Sequence, residues 1–529
     1  MKIISSIQAK GYSEAGASRT KRSLKGFIAQ SSAPFEDIDF NNATMRQRGR
    51  MLYMATPVAA AAINTNRTKI VGSGLHVKPT VNREILSGIP EEQIVAWEKY
   101  TEAEWKMWAE QKKNCDATGV NNFYEIQQLA VKNWLMSGDV FAVLQHRDKT
   151  PLNPYGLRIR LVEADRVSTP FTGTEGTRYY SAYTEGKTKS GNRIHDGVEV
   201  DKYGRIVAYH ISNVYPNSTF RLDEQIAWTR VPADGARTGM PNVLQVMDAE
   251  RPDQYRGVTY LAPVIETILQ LRRYTESELI AALVQSYLTA WITTSADSTD
   301  NPFNEAVDGD IEGQEHGGQI SHSENEYEMG PGQINVMRPG ESVTLGNPNI
   351  PTAGFPAFVK EICKLTGAGL EMPYDVLIKE FNSSYSAAKG ALEEMWEMVK
   401  MRRSWFVNDF CQPIYETWLS EAVALGRIKA PGFWNDPIIR AAWCGARWDG
   451  PAQTHLDPVK EANANKIMVE KGWKTNEQVT REFYGGNWRD NMAALKREKE
   501  ISDNQATQTS HPTDTDESKK EENNNAQTE

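Results

Sequence analysis

Cysteine is scarce in this sequence of 529 residues: Cys115, Cys363, Cys411 and Cys444 stand far apart and form no Cys-x-x-Cys pair. That spacing excludes a disulfide framework and a cysteine zinc site, and it fits a reducing compartment. Long hydrophobic runs are missing as well. The best one, Leu279 to Trp291, is broken by Gln285 and Ser286 and falls short of the ~18–20 apolar residues of a membrane span, so a soluble chain with no membrane partner is expected. The amino terminus has scattered basic residues but no continuous apolar segment, which excludes a secretory signal and reads as a flexible arm. No Gly-x-x-x-x-Gly-Lys-Ser/Thr loop, His-Glu-x-x-His or Gly-x-Ser-x-Gly occurs, and the eight histidines are dispersed. Nothing here points to an enzyme, a cofactor or a metal.

Positive charge is absent from one stretch. Between Arg273 and Arg338 there is no lysine or arginine, while Asp297, Asp300, Glu305, Asp308, Asp310, Glu312, Glu315, Glu324, Glu326 and Glu328 accumulate. Asp308, Asp310 and Glu312 alternate as in calcium loops, but the fixed glycine and the downstream glutamate of such a loop are missing, so a solvated acidic loop is the plainer reading. With a formal net charge of −10, the surface as a whole does not present the basic face of a DNA-binding domain.

What the chain does contain is a long series of helix and strand patterns, enough for several structural units at this length. A helix is predicted from Met51 to a glycine turn. A second, over Glu91–Gln111, turns Ile94, Trp97, Tyr100, Trp105 and Trp108 inward, a spacing that fits a core face better than base stacking, and a third runs from Phe123 to Met136. Residues 156–167 alternate as a strand, and 197–211 read as a hairpin turning on Asp201–Gly204. Arg251-Pro252-Asp253-Gln254-Tyr255-Arg256-Gly257 is a turn, followed by a helix predicted from Leu261 to Trp291, about 45 Å at 1.5 Å per residue. A short β-prone piece follows the acidic stretch. Helix signals then return at 355–369, at 384–424 with a break at Pro413, and as three short helices over 457–500 parted by Gly472 and Gly485-Gly486.

The turn and its helix, "RPDQYRGVTYLAPVIETILQL", resemble the signature of the lambda-type portal proteins of tailed bacteriophages. The blocks "RIRLVEADRV", "GVEVDKYGRIVAYHI", "FVKEICKLTGAGLEMPYDVL" with "NSSYSAAKGALEEMW", and "WDGPAQTHLDPVKEANA" are similar to that family's blocks in the family's order, from about Arg48 to Glu500. Asp253 and Thr259 stand where the family more often has Gly and Pro, and 233–250 reads as an insertion.

The resemblance implies an α+β, mainly helical portal fold with wing, stem, clip and crown regions. About twelve copies would form a ring at the capsid vertex of a virion, assembled in the host cytoplasm and conducting DNA during packaging and ejection. It divides the chain into a flexible N-terminal arm (1–45), a wing (46–255), a stem helix (256–292), a clip (293–345), a stretch holding the returning stem helix, tunnel loop and wing helices (346–454), a crown (455–500) and a disordered tail (501–529). The tunnel loop falls at about 375–384, with Lys379, Glu380, Phe381 and Asn382 facing DNA. Clip residues Asp297, Asp308, Asp310, Glu312 and Glu315 would dock the terminase or a head-completion adaptor. The other implied partners are a major capsid or scaffold protein and double-stranded DNA bound without sequence specificity. The alternatives are a metal-dependent nuclease built on the acidic stretch, or a minor capsid or scaffold protein that is not a portal.

Overall fold

The structure, a computed structural model, describes residues 32–170, 191–216, 225–286, 354–381, 384–453, 457–486 and 488–508, with short pieces at 17–18, 21–24, 26–27, 186–188, 218, 290–292 and 334–336. Pro34 opens one π-helical turn, Phe35–Asp39, that runs into helix α1, Phe40–Ala55. The arm expected up to residue 45 is therefore shorter: Ile38, Asp39 and Asn42 are buried, and the Asn42 amide donates to the Gly257 carbonyl at 2.8 Å. Pro57 forces Thr56 into an extended conformation (φ −129°, ψ 127°). The single helix predicted around Met51 is therefore two, and α2, Pro57–Ile70, restarts where a proline costs nothing.

Strand β1, His76–Pro79, precedes helices α3, Glu91–Ala109, α4, Lys112–Cys115, and α5, Phe123–Ser137. Asn122 and Glu125 form a reciprocal capping box on α5, and Gly138 ends it with φ +93°. Strands β2, Asp139–His146, and β3, Leu157–Glu163, follow. The next five, β4 (Gly186–Lys187), β5 (Arg193–His195), β6 (Val198–Val200), β7 (Ile206–Ser212) and β8 (Trp228–Pro232), form an antiparallel sheet in chain order. The expected hairpin is β6–β7: the Asp201 carboxylate accepts from the backbone of Tyr203 and Arg205, and Gly204 supplies φ +83°. Strand β9, Val243–Met247, lies in the supposed insertion and pairs with β2 in a β3–β2–β9 sheet. Phe141, Val162, Val198, Tyr209 and Val243 bring the two sheets into one core.

After the Arg-Pro turn, a 3-10 turn at Ala262–Val264 leads into α6, Ile265–Ser286. At 22 residues it is about 33 Å long, shorter than expected. Ala290–Ile292 is strand β10, paired in parallel with β11, Ile334–Val336, because β-prone Trp and Ile meet a matching run later in the chain. The returning helix α7, Phe355–Gly369, packs on α6 through Tyr274 against Phe355 and Phe358. Helix α8, Tyr374–Ile378, and helix α9, Tyr385–Phe406, follow. A π-helical turn at Val407–Cys411 then links α9 to α10, Gln412–Ala424, placing the irregularity one turn before Pro413. The last elements are α11 (Pro437–Trp443), β12 (Ala446–Asp449), α12 (Pro458–Glu470), α13 (Asn476–Tyr484) and α14 (Trp488–Gln508). The three C-terminal helices match expectation. The third, though, carries helix through residues 501–508, which the sequence suggested were tail.

Two compact units divide this chain: Met1–Thr68 with Lys106–Lys429, and Lys69–Trp105 with Ala430–Glu529. The second unit takes residues 69–105 from the stretch expected as wing. In the second unit β1 pairs antiparallel with β12, and Trp97 and Trp105 pack on Trp443 and Trp448. Ile94 and Trp105 are buried there as expected, but Tyr100 is half exposed. The first unit is held by an aromatic cluster: Phe406 and Phe123 stack on Phe410, while Tyr155 and Tyr415 pack on Trp418.

Candidate functional site

The signature turn is built by side chains that replace backbone pairing. Gln254 accepts from the backbone N–H groups of Glu250 (2.8 Å) and Arg251 (3.1 Å) and donates to the Arg256 carbonyl at 2.8 Å, so one amide closes the loop. Asp253 has φ +63°, a left-handed backbone that glycine adopts more readily than a residue with a side chain. Arg251 reaches back to Asp37 and to the Ser32 carbonyl, pinning the segment before α1.

Arg256 is fully buried. Its Nε and Nη2 fork onto the two oxygens of Asp139 at 2.6 and 3.1 Å, Nη2 also donates to the Ala164 carbonyl at 2.9 Å, and Nη1 donates to the carbonyls of Val167 (2.8 Å) and Asp196. All five donors are satisfied, a geometry that lysine does not reproduce. Burial alone would lower its pKa, but Asp139 and Asp196 reverse the direction and hold the guanidinium charged. Gly257 follows with its backbone against Gly138: a Cβ on Gly257 would lie 1.9 Å from the Gly138 carbonyl oxygen. One turn thereby joins the end of α5, the start of β2, and the loops before β4 and β6 to the root of α6.

The same cluster holds a surplus acid. Arg46 pairs with Asp196 at 2.9 Å and Asp165 at 3.5 Å, and Arg50 pairs with Asp165 and with Glu163 at 3.8 Å. Asp39, 3% exposed, has no cation within ion-pair distance among the described residues. Its pKa is pushed up to about 7, first by burial and then by Asp196, against the weaker pull of Arg256 and Arg46.

The stretch expected to hold the tunnel loop is helical at its start. Helix α8 buries Val376 and Leu377, so the open segment starts at Lys379 rather than at 375. Lys379 is exposed and caps α8 in the left-handed region (φ 62°, ψ 36°). Glu380 accepts from the Tyr374 hydroxyl at 2.9 Å, a bond that holds the phenol up to about 12, and Phe381 is 63% exposed. Asn382 lies outside the described residues, as do the clip residues Asp297, Asp308, Asp310, Glu312 and Glu315. Glu371 and Arg402, which pair at 3.0 Å at the root of this segment, were not anticipated. Arg402 lies in a helical pattern and Glu371 in the connection after Gly369, and no sequence signal links them.

The family described as "Phage portal protein, lambda family" matches residues 20–403. Portal protein B of Escherichia phage lambda is 23% identical over 432 residues, covering 79% of this chain and 76% of that protein. The portal protein of Escherichia phage N15 is 23% identical with 79% and 77% coverage, and the probable portal protein of Halomonas phage phiHAP-1 is 22% identical with 81% and 75% coverage. Among solved structures, a chain titled as the neck of the native GTA particle computed with C12 symmetry has a TM-score of 0.38 and 10% identity, covering 84% of this chain and 94% of that one. A chain of the virion of the native gene transfer agent has a TM-score of 0.38 and 12% identity over 83% and 92%. The profile spans both the Arg256 turn and the segment ending at Lys379, and the chain belongs to the lambda family of phage portal proteins.

Proposed function

We propose that about twelve copies of this chain close into a ring that conducts double-stranded DNA through a capsid vertex during packaging and ejection. The observation that carries this reading is an exposed apolar strip on α6 and α7. Leu279, Ile280 and Leu283 on α6 are 71%, 54% and 52% exposed, and Phe358 and Leu365 on α7 are 49% and 67% exposed. Leu279 and Leu283 continue the face that Ile268 and Leu271 bury, so the pattern is amphipathic along its whole length, and a neighbouring copy would cover the outer half. Lys379, Glu380 and Phe381 face the duplex in this reading. A lysine there meets phosphates without reading bases, as a sliding contact requires. The acidic stretch 297–328 docks a terminase or head-completion adaptor, and the ring also seats against a capsid or scaffold protein. ATP hydrolysis belongs to the motor, and this chain catalyses nothing. It would assemble in the host cytoplasm and end in the virion. Nothing in the comparisons favours the nuclease or scaffold alternatives.

The mass of the purified particle tests the ring, with Leu279→Glu plus Leu283→Glu as the perturbation. Wild type should sediment as a closed ring and the double variant as smaller species with unchanged helix content. A wild-type chain that stays monomeric, or a double variant that forms normal rings, removes the strip as an interface. Lys379→Ala and Lys379→Glu should keep ring mass while altering packaging rate or retention of packaged DNA. Normal packaging and retention in both would take Lys379 out of the channel.

A further inference from the structure

Arg402, on α9 and 7% exposed, touches three separate elements. Nη1 donates to the Asn66 side-chain oxygen on α2 at 3.1 Å, and Nη2 donates to Glu371 Oε2 at 3.0 Å. The guanidinium carbon Cζ lies over the Tyr260 ring, 4.6 Å from its centre. Tyr260 lies two residues before the 3-10 turn that opens α6, and its hydroxyl donates to the Leu370 carbonyl, next to Glu371. Asn66 donates in turn to that hydroxyl at 3.3 Å. A single cation therefore stands between the root of the stem helix and the root of the segment that ends at Lys379.

That segment is hinged at both ends. Glu371 has φ +51° and Lys379 has φ +62°, a region L residues occupy only when their surroundings hold them there. Between the two lie Pro373 and the single short helix α8. At Glu371 the backbone turn is closed by the Met372 N–H donating to the Gly367 carbonyl at 2.8 Å, and the side-chain contact is Arg402. A cavity of 280 Å³, lined by Trp134, Asp248, Tyr260, Glu371, Arg402 and Trp405, lies beside the pair and leaves the glutamate room to swing out. We infer that Arg402 is a latch coupling the base of the stem helix to the hinged segment 371–379, so that displacing either one loosens the other. The coupling itself stands without the channel reading; its use in answering a passing duplex rests on that reading.

Amide hydrogen exchange on the assembled full-length chain tests the latch. Glu371→Gly removes the ion pair while accepting the left-handed backbone, so it breaks the latch without adding strain. Exchange at 374–381 should rise about 10-fold and that of 262–266, at the stem root, about 3-fold, with the amides of α10 unchanged. Tyr260→Phe, which removes only the hydroxyl, should speed exchange at 374–381, and combining the two should give less than the product of the single effects. Acceleration confined to 370–373, an unmoved stem root, or strictly multiplicative effects would each leave Arg402 as an ordinary packing residue. These outcomes do not depend on whether DNA passes the loop.

Discussion

Replacing Asp39 by asparagine should tighten the N-terminal turn at neutral and alkaline pH and leave it unchanged near pH 4. The carboxyl rises from 3.8 to about 7 because it is buried beside Asp196 with no cation of its own. When the π-helical turn opens, Asp39 reaches water and its ordinary value returns. Between pH 3.8 and 7 the closed form thus holds a proton that the open form has released, so closure weakens by about 1.4 kcal/mol per pH unit. Below that window both forms are protonated and there is no penalty; above pH 7 the penalty is complete, at most about 4 kcal/mol for three units. Asparagine keeps the shape and carries no charge. Hydrogen exchange of amides 35–42, compared between wild type and Asp39→Asn at equal pH, cancels the intrinsic chemistry of exchange. The ratio of their opening constants should grow about 100-fold from pH 5 to pH 8, corresponding to about 3 kcal/mol. A ratio that stays constant across that range, or a variant that opens more readily than wild type at pH 8, would refute the account of a surplus acid.

Gly257→Ala should abolish soluble folded protein, because its Cβ would fall 1.9 Å from a backbone oxygen of Gly138 that cannot move aside; a cooperative melt within a few degrees of wild type would contradict this. Removing residues 509–529 should leave ring mass unchanged, whereas truncation before Asn41 should lower the melting temperature, since it deletes buried Ile38 and the contacts of Arg251 with Asp37 and Ser32. Neutralising Asp308, Asp310 and Glu312 together should leave rings intact and weaken terminase binding at low salt, with the difference shrinking as salt rises. Equal binding by both proteins at every salt concentration would separate the acidic stretch from docking.

The elements legible in the sequence are those fixed by near neighbours. The Asp201–Gly204 hairpin, the end of α5 at Gly138 and the irregularity before Pro413 each follow from a turn residue or a proline acting within a few positions. What escaped depends on a partner far along the chain. Strand β9 went unread because its partner β2 lies about a hundred residues earlier, and β1 because it finds β12 only near the C-terminus. The apolar run ending the predicted stem fitted helix or strand equally, and β11 decides for strand.

The site divides along the same line. The loop around Lys379 came with the resemblance alone, and the helical start of that stretch was not legible, since burial of Val376 and Leu377 is a tertiary fact. Glu371 and Arg402 lie 31 residues apart, and nothing local in either betrays a left-handed backbone or an ion pair. Asp39, within "FEDIDF", has the look of a solvated turn; only the arrival of Asp139, Asp196 and Arg256 from three other parts of the chain makes it an acid too many. The signature itself was readable as a motif and misread in weight. Arg256 and Gly257 do more than turn the chain: a buried five-donor guanidinium and a backbone contact too close for any side chain leave them little freedom to change, and they fix where the chain enters α6.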